Sequence, residues 1–171
     1  MIEAGKKTTR DYLALSETPW PLWEIIYSRR SCRRYAPYRI PESELSALGD
    51  VVARALQVRG AEPDSILILD ESAKLEQAKR RLYKGFSNKI NLWIARARVA
   101  AFLIIALPGD DVRAERPRCL PKIVMAAEDC VLWLTGRGLG TCWLGGVNEE
   151  EVRGVLGLPG GTSIPAMIAV G

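Results

Sequence analysis

Gly138-Leu139-Gly140-Thr141-Cys142-Trp143-Leu144-Gly145-Gly146 is the stretch on which the fold turns. Its first glycines end a long apolar helical run, a short β-prone segment follows, and two more glycines precede Asn148, a residue suited to start a helix. Glycines beside an apolar strand let backbone approach a flat ring closely, with no Cβ in the way. Far upstream, Arg29-Arg30-Ser31-Cys32-Arg33-Arg34-Tyr35 offers guanidinium groups and a hydroxyl. These suit a phosphate monoester, because arginine presents several donors in a rigid fork. A flat ring and a phosphate monoester are the two ends of flavin mononucleotide (FMN), so the segments read together as a site for that cofactor. Neither segment alone specifies it.

Outward from that stretch the chain alternates helices and strands. Lys122 to Gly136 carries Ile123, Ala126, Ala127, Cys130, Val131 and Leu134 at helical spacing, which predicts the core helix. The preceding segment, Pro108 to Pro121, is charged and contains prolines, and it reads as an exposed loop or one poised over a cleft. Val99 to Leu107 is an apolar run ended by Pro108-Gly109, the best candidate for a central strand. Helices are predicted over Pro21 to Ser28, Pro41 to Leu56, Ser72 to Tyr83 and Asn88 to about Ala97, with a buried strand over Ser65 to Leu69. Downstream, Thr141 to Leu144 forms a strand, Asn148 caps a helix through Leu156, and Ile164 to Val170 is a final strand.

Composition narrows the chemistry. At 171 residues, with 48% hydrophobic and 7% aromatic residues, the chain suits one domain that buries its core without a metal or disulfide staple. No histidine is present, which excludes a Ser-His-Asp triad, a Cys-His dyad and a His-ligated metal site. A cofactor that carries its own reactivity remains compatible, so no side chain is assigned a catalytic acid–base role. Cys32, Cys119, Cys130 and Cys142 show no metal-ligand spacing, and no metal site is expected. No apolar run approaches the length of a membrane span. Met1 to Thr9 lacks the apolar core of a secretory signal, which leaves the cytoplasm as the expected compartment.

The net charge of +4 is concentrated in Arg29, Arg30, Arg33, Arg34 and Arg39, a local pattern that points to a small anion. Nucleic-acid binding, with Tyr27, Tyr35 and Tyr38 as stacking platforms, is the rival reading and is disfavoured. A solvated basic helix end is the plain structural one.

The order of these segments resembles the nitroreductase family of flavin enzymes. The resemblance rests on the Arg-Arg-Ser-x-Arg-Arg-aromatic stretch followed by Ile40-Pro41-Glu42. It continues in Asn91-Leu92-Trp93 and in Ala127-Glu128 through Gly138 to Gly146. It closes on Asn148-Glu-Glu-Glu151, Leu156-Gly-Leu-Pro159 and Ile168-Ala-Val-Gly171. It implies an α+β fold with a mostly antiparallel central sheet flanked by helices, in an intertwined homodimer binding FMN at the subunit interface. By position, Arg29, Arg30, Ser31 and Arg33 would contact the FMN phosphate, ribityl chain or ring edge. Trp143, Leu144, Gly145 and Gly146 would pass along the ring. For Trp143 and Leu144 core packing is the competing reading, and for the two glycines a tight turn.

The implied reaction is ping-pong: NADH or NADPH passes hydride to the flavin and leaves, and an electron-poor acceptor, nitroaromatic or quinone, then takes it. The alternative is a nitroreductase-like protein that binds flavin or another anion without redox turnover. The expected organisation is an N-terminal extension over 1–20 and a nitroreductase-like domain over 21–171 whose C-terminal segment is shortened. Two departures stand out. Gln57 to Asp64 lacks the asparagine-bearing stretch common in the family, with Gln57 as the nearest substitute, and Lys122 stands where an acidic residue is usual.

Overall fold

The computed structural model describes residues 22–61, 65–70, 72–82, 86–107 and 112–171. The N-terminal extension over 1–20 and residues 62–64 of the Gln57–Asp64 departure lie outside them. The described helices are α1 (Leu22–Ser28), α2 (Glu42–Gln57), α3 (Ser72–Leu82), α4 (Val112–Gly136) and α5 (Glu149–Leu156), with a 3-10 helix at Phe86–Ala95. The strands are β1 (Ser65–Leu69), β2 (Ala101–Leu107), β3 (Thr141–Trp143) and β4 (Ser163–Val170). They pair antiparallel in the order β1-β2-β4-β3. This is the expected α+β architecture.

Strands β2 and β4 take the centre because their side chains are apolar on both faces. Leu103 and Ile105 with Ile168 and Val170 face one core, which α2 and α4 cover. Phe102 and Ile104 with Met167 and Ala169 face the other, which α3, the 3-10 helix and α5 cover. Side chains alternate across a strand, so a sheet buried on both sides reads as an unbroken apolar run. That is the pattern of Val99 to Leu107. Pro165 would interrupt a central ladder because it has no N–H. The register shifts there, from Ile105 opposite Ala166 to Leu107 opposite Ser163, and the irregularity accommodates the ring.

One expectation is corrected. The segment Pro108 to Pro121 is not a loop throughout, since α4 begins at Val112. A proline in a helix interior removes the bond from its own N–H to the residue four back and crowds that residue's carbonyl, at a cost of about 3 kcal/mol. The residues around Pro117 (Arg113, Ala114, Glu115, Arg116 and Arg118) are strong helix formers apart from the prolines. The downstream half anchors the helix by burying Ile123, Ala126, Ala127, Cys130, Val131 and Leu134. Tertiary burial outweighs two missing bonds.

The helix expected over Asn88 to Ala97 is the 3-10 helix. Residues three apart eclipse in that geometry, so Asn91 and Ile94 are both buried while Leu92 is exposed. Helix α5 begins as anticipated. Asn148 Oδ1 accepts from the Glu151 N–H, and Gly157 closes the other end with φ of 68°.

Candidate functional site

The arginine segment and the glycine stretch meet at the open edge of β3. An edge strand presents unpaired backbone groups, and here Ser31 forms a parallel bridge to Thr141. The Cys32 N–H donates to the Thr141 carbonyl at 2.8 Å. On the other side, Gly140 and Gly171 exchange two backbone hydrogen bonds of 2.6 and 3.0 Å. Gly140 is glycine because of this crowding. A Cβ there would lie 3.0 Å from Cys32 Cβ and 3.2 Å from the Gly171 oxygen. Tyr35 completes the junction by donating its hydroxyl to the Cys32 carbonyl at 2.7 Å, with its ring against Gly171.

The eight residues singled out by sequence stand as follows. Arg29 Nε lies 3.3 Å from Glu128 Oε1 on α4. Arg30 Nη1 donates to the Tyr27 and Arg29 carbonyls and so caps the C-terminal end of α1. Ser31 and Arg33 are exposed. Trp143 is half-buried against the core under α2 and α4. Leu144 is buried in the opposite core, and its N–H donates to the Met167 carbonyl at 2.9 Å. For these two side chains, core packing describes the observed contacts. Gly145 and Gly146 are exposed, Gly146 has φ of 62°, and a Cβ on Gly145 would meet open space.

Asn91 acts on this site, although sequence reasoning gave it no role. The residue is 2% exposed, and its carboxamide donates from Nδ2 to the Gly145 carbonyl at 2.7 Å. A buried amide needs such a partner, so the bond fixes the 3-10 helix to the glycine turn. The available signal was a polar residue among Ile90, Leu92 and Trp93. Of the two departures, Gln57 Oε1 accepts from Arg54 at 3.0 Å on the exposed end of α2. Lys122 Nζ donates to the Gly60 carbonyl at 2.8 Å, tying α4 to the turn after α2.

The electrostatics agree with convergence on β3. Burial pushes the Cys142 thiol up, Arg33 pulls it back, Cys32 adds to the rise, and Arg29 opposes it. Burial likewise holds the Tyr35 hydroxyl well above the usual phenol range, reinforced by Cys142 and Cys32 and opposed by Arg33. Two guanidiniums therefore act on the strand that carries the glycine stretch.

Cys130, deep under α4, allows a direct check of the core. Burial first, then the Asp129 carboxylate, pushes its thiol up to about 12, with Arg59 opposing. At pH 8 only about one thiol in ten thousand is ionised. Native protein is expected to leave Cys130 unmodified by a disulfide reagent until denaturant is added, as read by mass spectrometry. Ready native labelling would contradict the packing. The folded thiol titrates above the unfolded one, so its stability contribution is complete below about pH 9. It is lost as pH rises toward 12, at up to about 1.4 kcal/mol per pH unit.

Fold and junction together define a class: an α+β protein with an arginine-serine segment laid against a glycine-flanked edge strand. The family model described as the nitroreductase family matches residues 65–171, and the chain belongs to that family of oxidoreductases. Solved structures agree in fold. A nitroreductase family protein from Clostridium novyi NT superimposes with a TM-score of 0.71 at 19% identity, covering 89% of this chain and 84% of that one. An FMN-dependent nitroreductase from Clostridium difficile gives 0.69 at 19%, covering 86% and 84%. A structure from Desulfovibrio desulfuricans in complex with FMN gives 0.70 at 17%, covering 89% and 86%. No curated protein matches the chain. Among the described residues no helix is long and apolar enough to cross a membrane.

Proposed function

We propose that this chain is an FMN-dependent oxidoreductase. In this reading it takes hydride from NAD(P)H and passes it by a ping-pong scheme to an electron-poor acceptor of the nitroaromatic or quinone type. The observation that carries the reading is the junction at β3, where backbone bonds hold Ser31 and Cys32 against Thr141 beside the glycine turn. The residues present fit the cofactor. Ser31 and Arg33 are exposed donors for a phosphate, and the turn at Gly145 opens onto unfilled space that a side chain would otherwise occupy.

Arg29, Arg30, Ser31 and Arg33 would hold the phosphate and ribityl end. Trp143, Leu144, Gly145 and Gly146 would line the ring, Leu144 through its carbonyl and the glycines through bare backbone. When bound, the flavin supplies the group that accepts and returns hydride. The protein's part is then to bind, orient and shield. Asn91 keeps the glycine turn in place, Tyr35 and Gly140 keep the arginine segment in place, and no side-chain acid or base is required. The FMN-dependent and FMN-bound neighbours support the cofactor. A homodimer fits the exposed Leu22, Trp23, Ile26 and Tyr27 of α1 and the exposed Val124 and Met125 of α4, apolar surface that a second copy would cover.

A second reading, binding of flavin or another anion without turnover, draws support from the α2 end, where Gln57 is engaged with Arg54. One experiment separates the two. Purified protein is given FMN, desalted, scanned for absorbance, and then mixed anaerobically with NADH or NADPH. Retained flavin that bleaches is the expected result. Retained flavin that stays yellow selects the second reading, and no retained flavin overturns both as flavin proteins.

A further inference from the structure

Beside the β3 junction, and sharing Arg33 with it, lies a cleft of about 400 Å³ lined by Arg33, Arg34, Arg96 and Arg98 with Tyr35 and Trp93. We propose that this cleft receives the adenosine 2′-phosphate end of the hydride donor, which makes NADPH rather than NADH the donor. The inference rests on the oxidoreductase reading above.

The charge pattern comes first. Several arginines elsewhere are paired with carboxylates: Arg29 with Glu128, Arg59 with Asp129, Arg81 with Glu151, Arg137 with Glu44 and Arg153 with Glu149. Among the described residues the cleft's arginines form no ion pair with a carboxylate, and none of its lining residues is acidic. Like charges gathered without partners cost free energy unless an anion joins them.

Local structure explains the convergence. Between the 3-10 helix and β2, Ala97 and Val99 are buried while Arg96 and Arg98 are exposed. The Arg96 and Ala97 N–H groups still bond three residues back, to the Trp93 and Ile94 carbonyls, and from this connection both arginines line the cleft. Arg34 approaches from the other segment, which Tyr35 anchors through Cys32.

The remaining wall selects the ligand. Tyr35 and Trp93 lie 6.3 Å apart between ring centroids, tilted by 46°, and an aromatic base can stack on such a surface. Arginines around an aromatic wall match a purine bearing phosphate. Arg33 is already assigned to FMN, yet Arg34, Arg96 and Arg98 remain. Three fixed positive charges suit a ligand with more charge than the two units of a pyrophosphate alone, and a phosphate monoester adds about −1.5 to −2. Position suits the donor as well. Trp93 is two residues beyond Asn91, about 4 Å along a 3-10 axis, and Asn91 is bonded to the glycine turn.

The test is calorimetric titration of the protein, with and without FMN, using adenosine 2′,5′-bisphosphate and adenosine 5′-monophosphate as probes. The bisphosphate is expected to bind at least about tenfold more tightly, as loss of one charge-assisted bond implies. Arg96→Gln with Arg98→Gln is expected to erase that preference and raise the KM for NADPH while FMN retention, read by absorbance, is unchanged. Equal binding of the two probes, or a preference that survives the double substitution, overturns the proposal. Loss of FMN from the same variant also overturns it, by assigning the cleft to the flavin. If wild-type protein retains no FMN, the oxidoreductase reading fails by absorbance. The titration of flavin-free protein then still decides whether the cleft prefers the 2′-phosphate.

Discussion

Replacing Arg29 and Ser31 together by alanine is expected to weaken FMN retention about a hundredfold while leaving the melting temperature nearly unchanged. A hydrogen bond from a charged group contributes roughly 1.5–3 kcal/mol and a neutral hydroxyl about 1 kcal/mol, and each 1.4 kcal/mol is tenfold in affinity. The stability cost is small for a separate reason. Among the described residues the only ion pair lost is that of Arg29 with Glu128, whose side chains are 36% and 46% exposed, and such pairs contribute at most about 1 kcal/mol. Ser31 holds the β3 edge through its backbone, which alanine keeps. The measurement pairs absorbance after desalting with a thermal melt. Full retention with an unchanged melt would remove the arginine segment from the cofactor site. Lost retention with a collapsed melt would make its role structural.

Phe102→Ala is expected to cost about 3–5 kcal/mol, out of a total of roughly 5–15 kcal/mol for a domain. Phe102 has no solvent exposure and lies on a central strand, opposite Leu69 on β1 and Ala169 on β4. Its ring fills the core beneath α3, the 3-10 helix and α5. Close packing leaves nothing to flow into the space that truncation opens. Urea unfolding should show a lower midpoint with an unchanged slope, the mark of lost stability without a changed denatured state. A shift smaller than about 1 kcal/mol would mean that the layer over Phe102 collapses onto the cavity, and that this face of the sheet is pliable.

Much of the architecture was legible because burial and periodicity coincide. The stripe from Ile123 to Leu134 is the buried stripe of α4, and Ala101–Leu107 of the Val99 to Leu107 run became β2 because a strand covered on both faces leaves no position for a polar residue. The start of α4 was not legible. Pro117 and Pro121 are local stop signals, whereas the forces that carry the helix past them act through the core downstream. The site divides in the same way. Arginines suited to phosphate and glycines suited to a ring could be named from residue chemistry alone.

By itself, then, the sequence determined most of the elements, the family resemblance, the absence of histidine chemistry and the two segments of the candidate site. Tertiary structure alone decided what those segments touch. It brought Ser31 and Cys32 to Thr141 and fitted Gly140 against Cys32. It buried Leu144 and gave the Gly145 carbonyl to Asn91. It also collected Arg34, Arg96 and Arg98 around one cleft. The physical reason is range: capping, turn and periodicity act over a few residues, whereas a close approach between residues a hundred positions apart exists only after the sheet has formed and both its faces are packed.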